Sequence, residues 1–259
     1  MNFRLLGSTV RLQMKQSFSR PMFRFTLIAG PVLNTILLYE MFLSSCEENF
    51  FSYVVLGAGL MGIWGCICFS SAGDINRERY MGTLALIFAA PAPFRKTILG
   101  KIIGNTLLSL LTFLVSLLTA VILFGVKVRI AEPSHFLVAF AVTIVSFISI
   151  SSVIACVLTL SRKTELYMNL LELPIALLCG FVFPLELLPP FIRVISYALS
   201  PTWAVRLLRR SVEGGTEPSL FAGELLVTLA LSAAYAILSL LLYRMIEKHV
   251  RIRATLDVA

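Results

Sequence analysis

The chain has 259 residues, 58% of them hydrophobic and only 14% charged, with a mean hydropathy of +0.90. A soluble domain averages about 25% charged residues and is under half apolar, so composition excludes that class and points to an integral membrane protein. The net charge of +8 then reads as cytoplasmic flanks and contact with anionic lipid, not as a nucleic-acid surface.

Residues 1–22 read as an amphipathic helix lying on the inner membrane surface. Phe3, Leu6, Val10, Met14 and Phe18 recur at three- and four-residue spacing, and Arg4, Arg11 and Lys15 fall on another face. This stretch lacks a compact apolar core before a cleavage site, so the first long apolar run is expected to be a retained span.

A spanning helix needs about 20 mostly apolar residues. Six runs meet that length: 23–44, 51–72, 97–125, 136–161, 166–185 and 221–243. The third and fourth are long enough to tilt or project. The first carries Pro31, Asn34 and, near its outer end, Glu40, which can snorkel to the interface. On the second, Ala58, Gly62 and Gly65 form a small-residue face that lets another helix approach closely. The serines of the fourth (Ser146, Ser149, Ser151 and Ser152) read as packing residues in the same way. The five cysteines, at 46, 66, 68, 156 and 179, show no metal or redox spacing and read as packing thiols.

Between the second and third runs lies a charged, helix-capable segment, 74–93, containing Asp74, Arg77, Glu78 and Arg79. Charge in so apolar a chain is costly unless it meets water or a partner protein. The segment therefore points to a soluble partner on one side of the membrane.

The fifth run holds the polar residues of greatest interest. Glu165, Asn169, Glu172, Ala176 and Cys179 are spaced by four, three, four and three, so they share one helix face. That face either lines a water-accessible cavity or is a packing stripe with a protonated Glu172. Pro174 is expected to kink the helix just beyond Glu172. Residues 186–218 are too apolar for a simple loop and too short to span twice. They read as a pair of short helices dipping into the outer leaflet, followed by the exposed loop Glu213–Pro218.

With the N-terminus inside, sixteen of the 22 Lys and Arg residues fall on inner segments and six on outer ones. The bias places both termini in the cytoplasm. The first outer loop, with Glu47, Glu48 and no base, agrees.

Several chemistries have no motif here. Gly100-Lys101 is the sole Gly-Lys, and Arg95 stands where a P-loop requires its first glycine. The two histidines, His135 and His249, are far apart, and there is no His-Glu-x-x-His or Gly-x-Ser-x-Gly. No catalytic, cofactor-binding or metal-binding residue is expected, and any energy source must lie on another chain.

Three segments carry a family resemblance. Glu78-Arg79-Tyr80-Met81-Gly82-Thr83-Leu84, followed by Pro91 and Gly100-Lys101, resembles an "E-R-x-x-G-T-L-E-x-L … P … G-K" segment. Gly180-Phe181-Val182-Phe183-Pro184-Leu185-Glu186-Leu187-Leu188-Pro189 resembles "G-x-x-F-P-x-x-x-L-P". Ser200-Pro201-Thr202-Trp203, with Arg209 or Arg210 after it, resembles "P-x-x-Y … R". In this order they are similar to permease subunits of the ABC-2 type transporter family, in its drug-export-like branch. Ala85 stands where the family often has Glu, Tyr80 where another acidic residue is common, and Ala204 where Tyr is usual.

The resemblance implies an all-α fold of six spans, with an interface helix, a cytoplasmic coupling helix and an outer re-entrant pair. It implies a non-enzymatic permease in the cytoplasmic membrane of a prokaryote. Two such permeases, of the same or a related chain, would pair with two ATP-binding subunits that hold ATP and Mg. Arg77, Glu78, Arg79, Gly82, Thr83, Leu84 and Pro91 would couple to the ATPase, with Gly82-Thr83 capping or starting a helix. Glu165, Asn169, Glu172 and Ala176 would face the substrate pathway, and Phe183, Pro184, Glu186 and Pro189 would form the outer gate. The exported substrate could be a drug, lipid, peptide or other hydrophobic compound. A gradient-driven carrier using Glu172, or a non-transporting partner of an ATPase, are the competing readings.

Overall fold

In a bilayer, each backbone polar group of an apolar run must be satisfied within the protein, and a helix does this locally. The computed structural model describes residues 3–43, 52–83, 94–126, 130–160, 164–214 and 217–253, and among these there is no strand. Helix α1 spans Phe3–Ser19 and α2 spans Pro21–Leu43. Pro21 fits the first turn of α2 and ends α1 before it. A π-helical turn, Ser52–Leu56, leads into α3 (Gly57–Tyr80). Then come α4 (Phe94–Phe124), α5 (Pro133–Leu160), α6 (Thr164–Leu178), a 3-10 turn (Leu185–Leu187), α7 (Pro190–Ala198), α8 (Ser200–Glu213) and α9 (Pro218–Arg253).

Among the described residues, four helices are long and apolar enough to cross a membrane: Pro21–Leu43, Lys96–Phe124, Pro133–Leu158 and Pro218–Ile246. The sequence led us to expect six spans, and the second and fifth runs account for the difference. In the second, the described apolar stretch is Tyr53–Cys68, and the helix itself runs on to Tyr80. The first part of the 74–93 segment is thus a continuation of α3. In the fifth, the apolar sequence reaches Leu185 but α6 stops at Leu178, after 15 residues. At 1.5 Å per residue that is about 22 Å, against a hydrocarbon core of about 30 Å.

The stop has a local cause. Gly180 takes a left-handed conformation (φ 68°), the Gly180 amide donates to the Leu177 carbonyl at 3.0 Å, and the Phe181 amide donates to the Ala176 carbonyl at 3.1 Å. This is a Schellman ending, in which glycine tolerates the positive φ without Cβ strain. The chain then turns back, and Phe181 inserts into the core. There it meets Trp64 of α3 and Phe147 of α5 edge-on or tilted, with centroids 6.4 and 5.5 Å away.

Helix α3 is central, packing against α2, α4, α5 and α6. Its glycines permit this crowding. A Cβ at Gly62 would stand 3.0 Å from Thr112 of α4 and 3.4 Å from Pro31 of α2. Without a hydrophobic driving force between helices in lipid, close backbone approach is what holds them together. Helix α9 packs on α5 and α8, and α8 on α5.

Helix α1 packs against the bundle on one face and exposes Arg11 and Lys15 on another. It packs along α4 at two glycines: a Cβ at Gly100 would stand 3.0 Å from the Thr9 side chain, and one at Gly104 3.0 Å from the Val10 carbonyl. Of the expected apolar stripe, Met14 packs inward against Phe23, Leu27, Cys66 and Leu108, while Phe18 is exposed. The residues of α1 that are fully enclosed are polar, Gln13 and Ser17.

Candidate coupling site and pathway face

At the end of α3, Gly82 takes a positive φ of 67° and the Met81 amide closes the last turn on the Arg77 carbonyl at 2.9 Å. Gly82 therefore closes the incoming helix as a C-terminal cap, and Thr83 after it is again helical. Glu78 does not reach outward. Its Oε1 accepts from Lys101 Nζ of α4, and its Oε2 accepts from Thr83 Oγ1. Burial works to raise the Glu78 carboxyl, but the Lys101 and Thr83 hydrogen bonds and the Lys101 and Arg77 charges outweigh it and hold it below its ordinary value. What the tip presents outward is Tyr80, 85% exposed, with Met81 and Gly82. Arg77 is half-buried. The helix at Arg79 is described without its side chain, and Leu84 and Pro91 lie outside the described residues.

One turn above Glu78 is a buried polar cluster that the sequence reading did not single out. Asp74 of α3, Gln13 and Ser17 of α1 and Asn105 of α4 are all nearly inaccessible. Asn105 Nδ2 donates to Asp74 Oδ2 at 3.0 Å, and Gln13 Nε2 also donates to that oxygen. Ser17 Oγ donates to Asn105 Oδ1 at 2.7 Å, and Gln13 Nε2 reaches the same atom at 3.1 Å. Arg20, at the α1–α2 junction, pairs with Asp74 Oδ1. A buried carboxylate is tolerable only when paired and hydrogen-bonded, and Asp74 is both. The signal in the sequence was polar residues at i and i+4 on α1, together with Asn105 within an apolar run and Asp74 at the start of the charged segment.

Higher on α3, Gly65 receives α6. A Cβ there would stand 2.8 Å from Glu172 Oε1. Trp64 Nε1 donates to the Glu172 carbonyl at 3.2 Å, two residues before Pro174 within α6. Ala176, one turn on, is buried in the same contact. The structure thus brings Glu172 and Ala176 together against α3. The side chains of Glu165 and Asn169 are outside the described set.

The opposite end of α3 meets the segment after Gly180. Phe183 and Pro184 are half-buried, whereas Glu186 and Pro189 are exposed. Arg193 of α7 donates from Nη2 to the Glu186 and Leu188 carbonyls at 2.7 and 3.1 Å, closing the turn between them. On α7, Phe191, Val194 and Ile195 form an exposed apolar face. The two arginines left open by the sequence divide the work. Arg209 Nη2 donates to the Phe181 carbonyl at 2.9 Å, and Arg210 pairs with Glu224 of α9 at 3.2 Å. Tyr53, Arg206 and Glu224, which join this region, were not foreseen.

A sequence model of the ABC-2 type transporter family matches residues 4–212, from α1 to the last turn of α8. The chain belongs to the ABC-2 type transporter family. It is also similar to the probable multidrug ABC transporter permease YbhS of Escherichia coli K12 and to that of Escherichia coli O157:H7. In each case it is 24% identical over 160 residues, covering 60% of this chain and 41% of the relative. The chain thus spans about two-fifths of the length of these curated relatives. As an ABC-2 family member with apolar helices of membrane-crossing length, it is a membrane protein. The family match takes in the α3 tip, the Asp74 cluster, the Glu172 contact and the Phe181 turn together.

Proposed function

We propose that this chain is the permease subunit of an ATP-driven exporter in the cytoplasmic membrane of a prokaryote, with both termini in the cytoplasm. Two ATP-binding subunits, carrying ATP and Mg, would seat against the Tyr80–Met81–Gly82 tip and the segment up to Pro91. A second permease, the same or a related chain, would complete the pathway. The substrate class is a drug or similar hydrophobic compound. The multidrug designation of the Escherichia coli relatives supports it.

The observation that carries this reading is the continuity of α3. One unbroken helix joins Gly65, where Glu172 packs, to the exposed Tyr80. The fifteen residue-to-residue steps between them rise about 22 Å. A helix held on several sides moves as a rod, so a push at Tyr80 shifts the Glu172 contact. ATP binding would draw the ATP-binding subunits together and bias the permease between two arrangements. In this mechanism the chain's own residues do three things. Glu78 and Lys101 fasten the tip of α3 to α4. The Asp74 cluster fastens both to α1. Gly65 and Glu172 form the contact that moves, with the Phe183–Pro189 segment closing the far end.

The test is purification of the tagged chain from its native membrane in mild detergent, with co-purifying proteins identified by mass spectrometry. Recovery of an ATP-binding subunit is the expected result. Reproducible recovery of the folded chain alone would overturn the reading and favour a gradient-driven carrier.

A further inference from the structure

We infer that the cavity between the Schellman turn of α6, the π-helical turn and α8 binds an oxyanion, a carboxylate or a phosphate, against Arg209. Arg206, Arg209 and Arg210 all line this cavity and, at spacings of three and one, lie along one side of α8. Arg206 and Arg210 share Glu224 Oε1, at 3.5 and 3.2 Å. Arg209 has no such partner: among the described residues no carboxylate lies within 4.0 Å of it.

Arg209 is also the most enclosed of the three, at 9% exposure. A guanidinium offers five N–H donors. Here its one hydrogen bond among the described residues is to the Phe181 carbonyl, its Nε is buried without a partner, and its face lies 4.4 Å over the Tyr53 ring. A buried cation with one neutral hydrogen bond is costly, and a counter-charge with several acceptor oxygens removes that cost. Carboxylate and phosphate match the planar fork of arginine.

Size decides how much of a ligand enters. The cavity is about 180 Å³, room for roughly six waters at about 30 Å³ each. Pockets for whole drug-sized molecules run from about 300 to 1,000 Å³, so this one takes a head group. Glu186 and Glu213 also line the cavity, but both are exposed. Their charges reach Arg209 without pairing with it, so each competes with an incoming oxyanion while leaving the guanidinium donors free. An apolar tail attached to the head group has a surface in reach on the neighbouring α7, along Phe191, Val194 and Ile195.

Binding can be read without transport, so its outcome is separate from that of the exporter reading. The full chain, with any co-purifying subunits, is placed in phosphatidylcholine nanodiscs and titrated with octyl phosphate, inorganic phosphate and octyltrimethylammonium. Tryptophan fluorescence reports, because Trp203 lies 5.4 Å from the Arg206 guanidinium at the cavity wall. Octyl phosphate should saturate, octyltrimethylammonium should not, and Arg209→Gln should weaken octyl phosphate at least tenfold, with Arg209→Lys weakening it less. Inorganic phosphate saturating at the same concentration marks a free oxyanion as the ligand. A tenfold advantage for octyl phosphate marks an amphiphile head group. An equal response to the cation, or an Arg209→Gln curve lying on the wild-type one, overturns the proposal. If Arg209→Gln fails to assemble, Glu213→Gln carries the test. Loss of that carboxylate should tighten octyl phosphate about threefold, and unchanged or weaker binding overturns the proposal.

Discussion

Gly65 of α3 lies against the carboxylate of Glu172 on α6, so closely that a Cβ at position 65 would stand 2.8 Å from Glu172 Oε1. The pair joins the central helix to the short helix whose far end folds back into the core. Gly65→Ala must therefore turn the Glu172 carboxylate aside, and because that carboxylate is the far end of a flexible side chain the shift is small. We expect a loss at or below about 1 kcal/mol, the low end of the overpacking range. Thermal unfolding of the detergent-solubilised chain measures it. The double variant Gly65→Ala/Glu172→Ala should recover most of the loss, and an additive double variant would contradict the contact.

The Glu78–Lys101 pair should behave as an internal fastening. Both side chains are largely shielded, and the bond crosses from α3 to α4. Removing one partner strands the other, so Lys101→Ala should cost about 1–3 kcal/mol. The exchange Glu78→Lys/Lys101→Glu should restore much of it. If Glu78 instead served an external partner, the exchange would recover stability and still lose partner binding, which pull-down of an ATP-binding subunit would reveal.

The pH dependence of this contact follows from the lowered Glu78 carboxyl. A group whose pKa is lower folded than unfolded contributes stability above the unfolded value. That contribution is lost as pH falls through the folded one. The α3–α4 contact should therefore hold from pH ~7 to ~5 and loosen only below the ordinary carboxylate range. Spin labels on the ends of the two helices measure the separation, and loosening that begins near neutrality would contradict the assignment.

Asp74 is the most demanding residue at this end of α3. It is buried, charged and held by Gln13, Arg20 and Asn105. Arg20→Ala leaves a buried carboxylate without its cation, at a cost of about 3–5 kcal/mol. We expect α1 to detach, detected as a gain of protease cleavage within residues 1–20. Asp74→Asn combined with Arg20→Ala should be milder than Arg20→Ala alone, because the stranded charge is gone.

How much of this could be read in the sequence depends on where each residue's partner lies. Apolar runs declare helices locally, so the membrane-crossing helices were legible, with ends displaced by a few residues. The ending of α6 was not, because apolar sequence continues past it. Only the left-handed Gly180 and the distant Arg209 hydrogen bond to Phe181 stop the helix there. Glu172 stood out as a charge in an apolar run, but that Gly65 receives it is a tertiary fact. Glu78 was chosen for its charge and assigned an outward role. Within the chain its carboxylate pairs with Lys101, 23 residues away on another helix. Gln13, Ser17 and Asn105 were overlooked because neutral polar residues are ordinary one by one and informative only when they converge on Asp74.

The central claim is that the tip of α3 is where an ATP-binding subunit seats. The most direct measurement places a photo-crosslinking amino acid at Tyr80, the most exposed large residue of the tip at 85%, in cells expressing the intact system. The account expects an ultraviolet-dependent adduct between this chain and an ATP-binding subunit, absent when the probe is moved to Phe191 on α7. Adducts only to lipid, or only to a second copy of the chain, would contradict it.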